Sequence, residues 1–133
     1  MYAQAQAPSP VMGRRLLLVE DDPALRQMLT WDLAELGYRV HAVSTCQEAR
    51  TVSPANGFDL AMLDVGLPDG DGLALARELA GMLPGLRVVI CSGGHGESVP
   101  DSIPAAVLAC LTKPVALERL HRLFQGSGLP VKD

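Results

Sequence analysis

The sequence predicts an α/β fold in which a parallel sheet is covered by helices on both faces. Apolar runs of strand length alternate along the chain with segments whose large apolar residues recur every three or four positions. Such alternation is typical of a parallel sheet. Continuous apolar strands indicate that both faces of the sheet are buried. The predicted strands are residues 15–19, 38–43, 59–63, 86–92 and 106–112.

The first two helices have recognisable ends. Pro23 suits the first turn of a helix that has Asp22 as its N-cap, and Gly37 is expected to stop that helix. Residues 45–48 have the form of a capping box and open the second helix. We expect the second helix to end before Pro54, because proline disrupts a helix interior.

Two more helices follow. One follows the glycine-rich loop and is marked by apolar residues at helical spacing between positions 75 and 83, and the last is expected to open at Pro114. Between them lie residues 95–106, where another helix would normally connect the last two strands. Pro100 and Pro104 would each cost ~3 kcal/mol inside a helix. We therefore expect a fourth helix in this region to be shortened or replaced by a loop.

The 133 residues fit a single domain. We assign residues 1–13 to a flexible tail or linker, residues 14–126 to the domain and residues 127–133 to a short C-terminal tail. Hydrophobic residues make up 48% of the chain, which is enough for a core, whereas aromatic residues make up only 4%. The core is therefore expected to be aliphatic.

Composition also excludes several classes of function. The net charge is −4 and the basic residues are scattered, which argues against direct binding to nucleic acid. No apolar run reaches the ~18 residues that a membrane-spanning helix requires, and the N-terminus does not resemble a signal peptide. The three cysteines, with no metal-binding spacing, are expected to be reduced. We expect a cytoplasmic protein.

Three carboxylates follow strands of the predicted sheet. Five strands fit a flavodoxin-like, doubly wound sheet in the order 2-1-3-4-5, in which the first and third strands are neighbours and ligands bind at the carboxyl ends. Glu20 and Asp21 follow the first strand and Asp64 follows the third. Clustered carboxylates take up protons or bind a cation. Carboxylate, carbonyl and water oxygens are the ligands of Mg²⁺.

The same edge offers groups for phosphoryl transfer. Asp64 projects centrally and is the best candidate nucleophile, while Glu20 and Asp21 are better placed to hold a metal. Lys113 follows the fifth strand and could reach a phosphoryl oxygen. Ser92 ends the fourth strand and offers a hydroxyl donor. The agreement of five positions carries more weight than any one residue.

The chain resembles the receiver domain of bacterial response regulators, of the chemotaxis-regulator type, in LLLVEDDPALR, LDVGLPDGDGL, VICSGG and LTKPV. The resemblance implies that a histidine kinase or histidine phosphotransfer protein phosphorylates Asp64. It also implies that Mg²⁺ is held by Glu20, Asp21, Asp64 and the carbonyl of Gly66. Ser92 and Lys113 then match the residues that bind the phosphoryl group.

Two departures from the family concern its switch. The family usually has an aromatic residue, which moves with the serine, at the position of Cys110. With no ring there, the relay from Ser92 is expected to differ or to be weaker. A shortened fourth helix in residues 95–106 resembles a subset of single-domain receivers and receivers of hybrid kinases.

We interpret the chain as a phosphorylation switch or phosphorelay intermediate of a two-component system, which assists its own phosphoryl transfer but is not an enzyme for other substrates. A separate output partner is expected because the chain ends soon after its last helix, and a weak homodimer is possible in this family. One alternative is a degenerate receiver that only binds proteins. Another is a Mg²⁺-dependent phosphatase resembling the haloacid dehalogenases, which normally have a second acid at the position of Gly66.

Overall fold

The structure, a computed structural model, describes residues 13–93 and 103–126. The strands within these ranges are β1 (Arg15–Val19), β2 (Arg39–Val43), β3 (Leu60–Asp64), β4 (Gly66–Leu67), β5 (Gly70–Asp71), β6 (Arg87–Ser92) and β7 (Val107–Thr112). The helices are α1 (Pro23–Glu35), α2 (Cys46–Asn56), α3 (Gly72–Met82) and α4 (Leu117–Gln125). None of these helices is long and apolar enough to cross a membrane.

The five long strands form one parallel sheet in the order β2-β1-β3-β6-β7. This is the predicted order 2-1-3-4-5, counted over the long strands. The short strands β4 and β5 form a separate antiparallel pair in the segment that follows β3. That pair was not predicted from the sequence. The order places β1 and β3 side by side, so their carboxyl ends meet at the same edge of the sheet.

Each face of the sheet is buried under two helices. On one face, Leu17 of β1 packs in a cluster with apolar residues of α2 and α3. On the other, Leu16 of β1 packs with Leu33 of α1 and Phe124 of α4. Both alternating sets of strand side chains are apolar, as a sheet covered on both faces requires. The predicted doubly wound architecture is confirmed.

The ends of α1 are as predicted. The Asp22 carboxylate accepts hydrogen bonds from the backbone N–H groups of Ala24 and Leu25, at 3.0 and 3.3 Å. Pro23 occupies the first turn, where its missing N–H costs no intrahelical bond. At the other end, Gly37 has a φ of 107°, which other residues rarely adopt, and the chain turns there into β2.

The prediction that α2 ends before Pro54 is wrong, because α2 continues to Asn56. Pro54 lies in the last turn, so its ring removes a single backbone bond close to the point where the helix ends. Side chains satisfy carbonyls nearby: the Ser53 hydroxyl donates to the Ala49 carbonyl at 2.6 Å, and the Asn56 amide donates to the Val52 carbonyl at 2.6 Å. The cost of a helical proline is therefore smaller here than in a helix centre.

The last helix begins later than predicted. Pro114 was expected to open it, but α4 starts at Leu117 with Ala116 as its N-cap, after a cis Lys113–Pro114 peptide bond. The predicted loss of a fourth helix concerns residues 95–106, of which 95–102 lie outside the described residues. The described residues 103–106 are not helical.

Candidate functional site

Three carboxylates converge at the carboxyl edge of the sheet. Glu20 and Asp21 directly follow β1, and Asp64 is the last residue of the neighbouring β3. One ligand oxygen from each lies within 4.8 Å of the other two. Glu20 is 3% exposed and Asp64 is 6% exposed, whereas Asp21 is open to solvent. The structure thus brings together the three acids that the sequence predicted to be neighbours.

Lys113, the residue after β7, partly balances this negative charge. Its Nζ lies 2.9 Å from Asp64 Oδ2 and 3.0 Å from Glu20 Oε1. Burial alone would lower the pKa of Lys113, but its hydrogen bonds to Asp64 and Glu20 outweigh that effect and raise the pKa above its ordinary value. The side chain is therefore a permanent cation at neutral pH.

Glu20 is the least exposed of the three acids. Burial raises its pKa, although the Asp22 N–H and the Lys113 ammonium both act to lower it. Glu20 Oε2 accepts the Asp22 N–H at 3.1 Å, which fixes the orientation of the carboxylate towards the site. Among the described residues, three carboxyl groups share the Lys113 ammonium, which contacts two of them.

Ser92 lies beside Lys113. It is the last residue of β6, is 9% exposed, and pairs in register with Thr112 of β7. Its carbonyl accepts the backbone N–H of Lys113 at 2.7 Å. The two residues predicted to bind a phosphoryl group are thus joined directly through the backbone.

Gly66 is held close to Asp64 by the segment that follows β3. The Gly66 N–H lies 3.3 Å from Asp64 Oδ1, and the Gly72 N–H donates to the Val65 carbonyl at 3.0 Å. Gly72 is tightly packed here, since a Cβ at this position would overlap the main-chain oxygen of Asp64. This close approach explains why glycine opens α3.

Cys110, predicted to take part in the switch, lies within β7 opposite Ile90 of β6. It is half-buried and packs against the core cluster that contains the side chains of α2 and α3. Its thiol is free, as are those of Cys46 and Cys91.

Sequence reasoning missed two aspartates near the site. Asp71 accepts the Leu73 N–H at 3.0 Å and caps α3, and its place directly before an apolar periodic segment was a signal that could have identified it. Asp69 accepts two N–H groups from the start of α2, 22 and 23 residues away. No local pattern indicates that contact.

Comparison with known proteins agrees with this geometry. Residues 16–125 match the sequence model of the response regulator receiver domain. The chain belongs to this family. It is thus a receiver domain of the kind used in two-component signal transduction.

Individual relatives of this receiver domain are longer proteins. It is 36% identical over 110 residues to the transcriptional regulatory protein GlrR of Escherichia coli, covering 80% of this chain and 24% of GlrR. It is 34% identical over 115 residues to the E. coli sensor protein TorS, covering 84% of this chain and 12% of TorS. The chain therefore spans a quarter or less of the length of these two relatives.

A solved structure shows the same fold. The response regulator TrrA of Thermotoga maritima, in complex with Mg²⁺ and BeF, is 25% identical to this chain with a TM-score of 0.70. The similarity covers 83% of this chain and 98% of TrrA.

Proposed function

We propose that Asp64 is the phosphoacceptor of this receiver domain and that a histidine kinase or histidine phosphotransfer protein supplies the phosphoryl group. The observation that carries the proposal is the position of Asp64 next to two acids and a cation. One oxygen of Asp64 lies within 4.8 Å of ligand oxygens of Glu20 and Asp21, and its Oδ2 lies 2.9 Å from the Lys113 ammonium. Membership of the receiver family supports the same role.

The site fits Mg²⁺ because its donors are hard oxygen atoms, which this ion prefers. Glu20, Asp21, Asp64 and the main-chain carbonyl of Gly66 would hold the ion. When bound, Mg²⁺ supplies positive charge that stabilises the negative charge on the phosphoryl oxygens. The Mg²⁺ complex of the similar TrrA supports this choice of metal.

Asp64 serves as the nucleophile. One carboxylate oxygen attacks phosphorus, the phosphorus–nitrogen bond of a phosphohistidine donor breaks, and the imidazole leaves with the electron pair. The Lys113 ammonium lies 2.9 Å from Asp64 Oδ2, so a positive charge stands beside the attacking carboxyl group.

Lys113 and Ser92 then bind the transferred group. The Lys113 ammonium already contacts Asp64 Oδ2, so a phosphoryl group on Asp64 would form within its reach. Ser92 provides a hydroxyl donor at the end of the adjacent strand. We propose that the shift of Ser92 towards the phosphoryl group passes into β7, where Cys110 takes the place of an aromatic ring.

The surface beside the site is suited to a protein donor. An apolar cavity of about 310 Å³ opens next to Lys113 and extends under α1. Met28 on α1 borders it and is 48% exposed. Exposed apolar surface next to a reactive group is typical of a contact with a partner protein, and we propose that the phosphohistidine protein binds here.

The experiment is phosphorylation with acetyl phosphate in the presence and absence of Mg²⁺, followed by intact mass. We expect one hydroxylamine-sensitive phosphoryl group per chain with Mg²⁺ and none in EDTA. Asp64→Asn should abolish incorporation, whereas Asp32→Asn, on α1 and outside the site, should not. Release of phosphate with no stoichiometric phosphoryl group on the chain would instead indicate a phosphatase, and absence of both would indicate a degenerate receiver that only binds proteins.

We propose further that the domain acts in the cytoplasm as a switch or phosphorelay intermediate and turns over no separate substrate. It would pass its signal to a partner protein rather than bind nucleic acid directly, and a weak homodimer is compatible with this role. The phosphoryl group stays on Asp64 until water or an acceptor histidine removes it. In the assay above, a switch therefore holds a phosphoryl group on the chain, which distinguishes it from an enzyme.

A further inference from the structure

Residues 65–71 connect β3 with α3, and we call this segment the bridge. Its strands β4 and β5 pair in antiparallel register, Gly66 with Asp71 and Leu67 with Gly70. One end of the bridge carries Gly66, whose carbonyl belongs to the proposed metal site. The position of that carbonyl depends on how the whole strand pair is held.

The base of the bridge is attached to the sheet. The Val65 N–H donates to the Cys91 carbonyl at 2.8 Å, and the Gly72 N–H closes the base by donating to the Val65 carbonyl at 3.0 Å. These bonds fix where the segment leaves β3 and enters α3. Leu67 of β4 is also buried in the core cluster that contains side chains of α2 and α3, so the strand pair packs on the domain beyond its base.

The tip of the bridge is attached to a different element, α2. Asp69 Oδ1 accepts the Cys46 N–H at 2.8 Å and Oδ2 accepts the Gln47 N–H at 3.0 Å. These bonds lower the pKa of Asp69, so the carboxylate stays ionised at neutral pH. Packing is also close, since a Cβ on Gly70 would lie 3.1 Å from the Cys46 sulfur.

The helix α2 has a cap of its own. Thr45 Oγ1 accepts the Glu48 N–H at 3.1 Å, and the Glu48 carboxylate accepts the Ser44 N–H at 2.9 Å. Both contacts lie within residues 44–48 and neither involves the bridge. What Asp69 contributes beyond this cap is the attachment of the bridge tip to the helix.

We propose that Asp69 is a positioning residue for the metal and phosphoryl site, because it anchors the tip of the strand pair that carries Gly66. The inference rests on the proposed function of Asp64. Without Asp69, the strand pair keeps the bonds at its base and the buried Leu67 but loses its two hydrogen bonds to α2, so the Gly66 carbonyl is held less firmly relative to the three carboxylates. Residues that orient metal ligands typically affect metal affinity 10- to 100-fold. Since Asp69 acts through the backbone, we expect a loss of about tenfold, the lower end of that range.

The test compares Asp69→Ala and Asp69→Asn with Thr45→Ala. Thr45→Ala weakens the same helix end but leaves the bridge attached, so it controls for loss of helix stability. We measure the Mg²⁺ dissociation constant by calorimetry, the rate of phosphorylation by acetyl phosphate against Mg²⁺ concentration, and unfolding in urea.

We expect Asp69→Ala to bind Mg²⁺ about tenfold more weakly and Asp69→Asn to be intermediate, because its amide keeps one acceptor oxygen. Higher Mg²⁺ should restore the phosphorylation rate of both variants. Thr45→Ala should lose stability but keep the parent's Mg²⁺ affinity. Parent-like affinity in Asp69→Ala, or an equal loss in Thr45→Ala, would overturn the inference while leaving the role of Asp64 intact. A parent chain that binds no Mg²⁺ would overturn both.

A second measurement needs no variant. In the parent, Mg²⁺ titration followed by NMR should shift the amide signals of Cys46 and Gln47, which bond to the bridge. The Glu48 amide, which bonds to Thr45, should shift less. Equal or absent shifts at all three amides would show that the bridge does not connect α2 with the metal site.

Discussion

Replacing Lys113 with methionine tests how the acidic site is held together without a metal. Methionine keeps much of the length of the side chain and removes its charge. The variant then leaves Glu20 and Asp64 buried, at 3% and 6% exposure, without the ammonium that lies about 3 Å from both. We expect the folded state to lose stability in EDTA at neutral pH.

The size of the loss follows from the geometry. At an effective dielectric constant of about 20, a charge pair 3 Å apart gains about 5 to 6 kcal/mol before the cost of desolvation is subtracted. Desolvation cancels much of this gain, and removal of one partner from a buried pair typically costs 3–5 kcal/mol. The Lys113 side chain is 25% exposed, so solvent screens part of the interaction. We therefore expect Lys113→Met to lower the free energy of unfolding by about 3 kcal/mol, the low end of that range.

The assay is urea unfolding followed by far-UV circular dichroism, in EDTA and in Mg²⁺. Mg²⁺ at 100 times its dissociation constant stabilises the parent by about 2.7 kcal/mol. The ion should stabilise the variant more than the parent, because it replaces the missing positive charge, and the difference between the two proteins should shrink. Arg119→Met, which removes an exposed cation from α4, is the matched control and should change stability by less than about 0.5 kcal/mol.

Two results would refute this reasoning. One is a free energy of unfolding for Lys113→Met that lies within about 0.5 kcal/mol of the parent value in EDTA. That result would mean that the buried acids do not need the amine for stability. The other is equal stabilisation of parent and variant by Mg²⁺. In that case, the metal and the amine would not neutralise the same carboxylates.

Three further predictions address the core, the bridge and pH. Phe124→Ala should lower the free energy of unfolding in urea by about 4 kcal/mol, because the ring is fully buried. A loss below about 1 kcal/mol would contradict that packing. Gly72→Ala should lower both the stability and the phosphorylation of the domain, because its Cβ would overlap the Asp64 main-chain oxygen. Gly81→Ala, in open space on the same helix, is the control and should be neutral or stabilising. Equal effects of the two substitutions would contradict the close approach of Gly72 to Asp64. Hydrogen bonds from the α2 amides lower the pKa of Asp69 from its ordinary value of 3.8. The stability that Asp69 contributes should therefore be complete above about pH 3.8. It should be lost as the pH falls through the lower pKa of the folded state. Thermal melts of parent and Asp69→Ala across pH 2–7 test this, and a constant difference would be contrary to it.

The parts of the fold that the sequence predicted depend on local patterns. Apolar runs predicted the five long strands, and Asp22 with Pro23 predicted the start of α1, because strand burial and helix capping act over a few residues. The meeting of Glu20, Asp21 and Asp64 was also predictable, since parallel strands bring their carboxyl ends to one edge.

The parts that the sequence did not predict depend on distant partners. The end of α2 is an exception, because Pro54 is tolerated in the last turn of that helix, where its ring removes a single backbone bond. The Tyr38 hydroxyl lies 2.8 Å from His121 Nδ1, although 83 residues separate them. Asp69 reaches α2 from another element in the same way. Such contacts exist only after the elements have packed, so a local pattern carries no sign of them.

The two proposed phosphoryl-binding residues are coupled before any phosphoryl group arrives. The Lys113 side chain bonds to Asp64, and the Lys113 backbone N–H bonds to the Ser92 carbonyl at 2.7 Å. We propose that, if a phosphoryl group on Asp64 takes up the Lys113 amine, the backbone bond between the ends of β6 and β7 links that change to Ser92. This bond does not involve Cys110, so the link would be available in a receiver that has Cys110 in place of an aromatic ring.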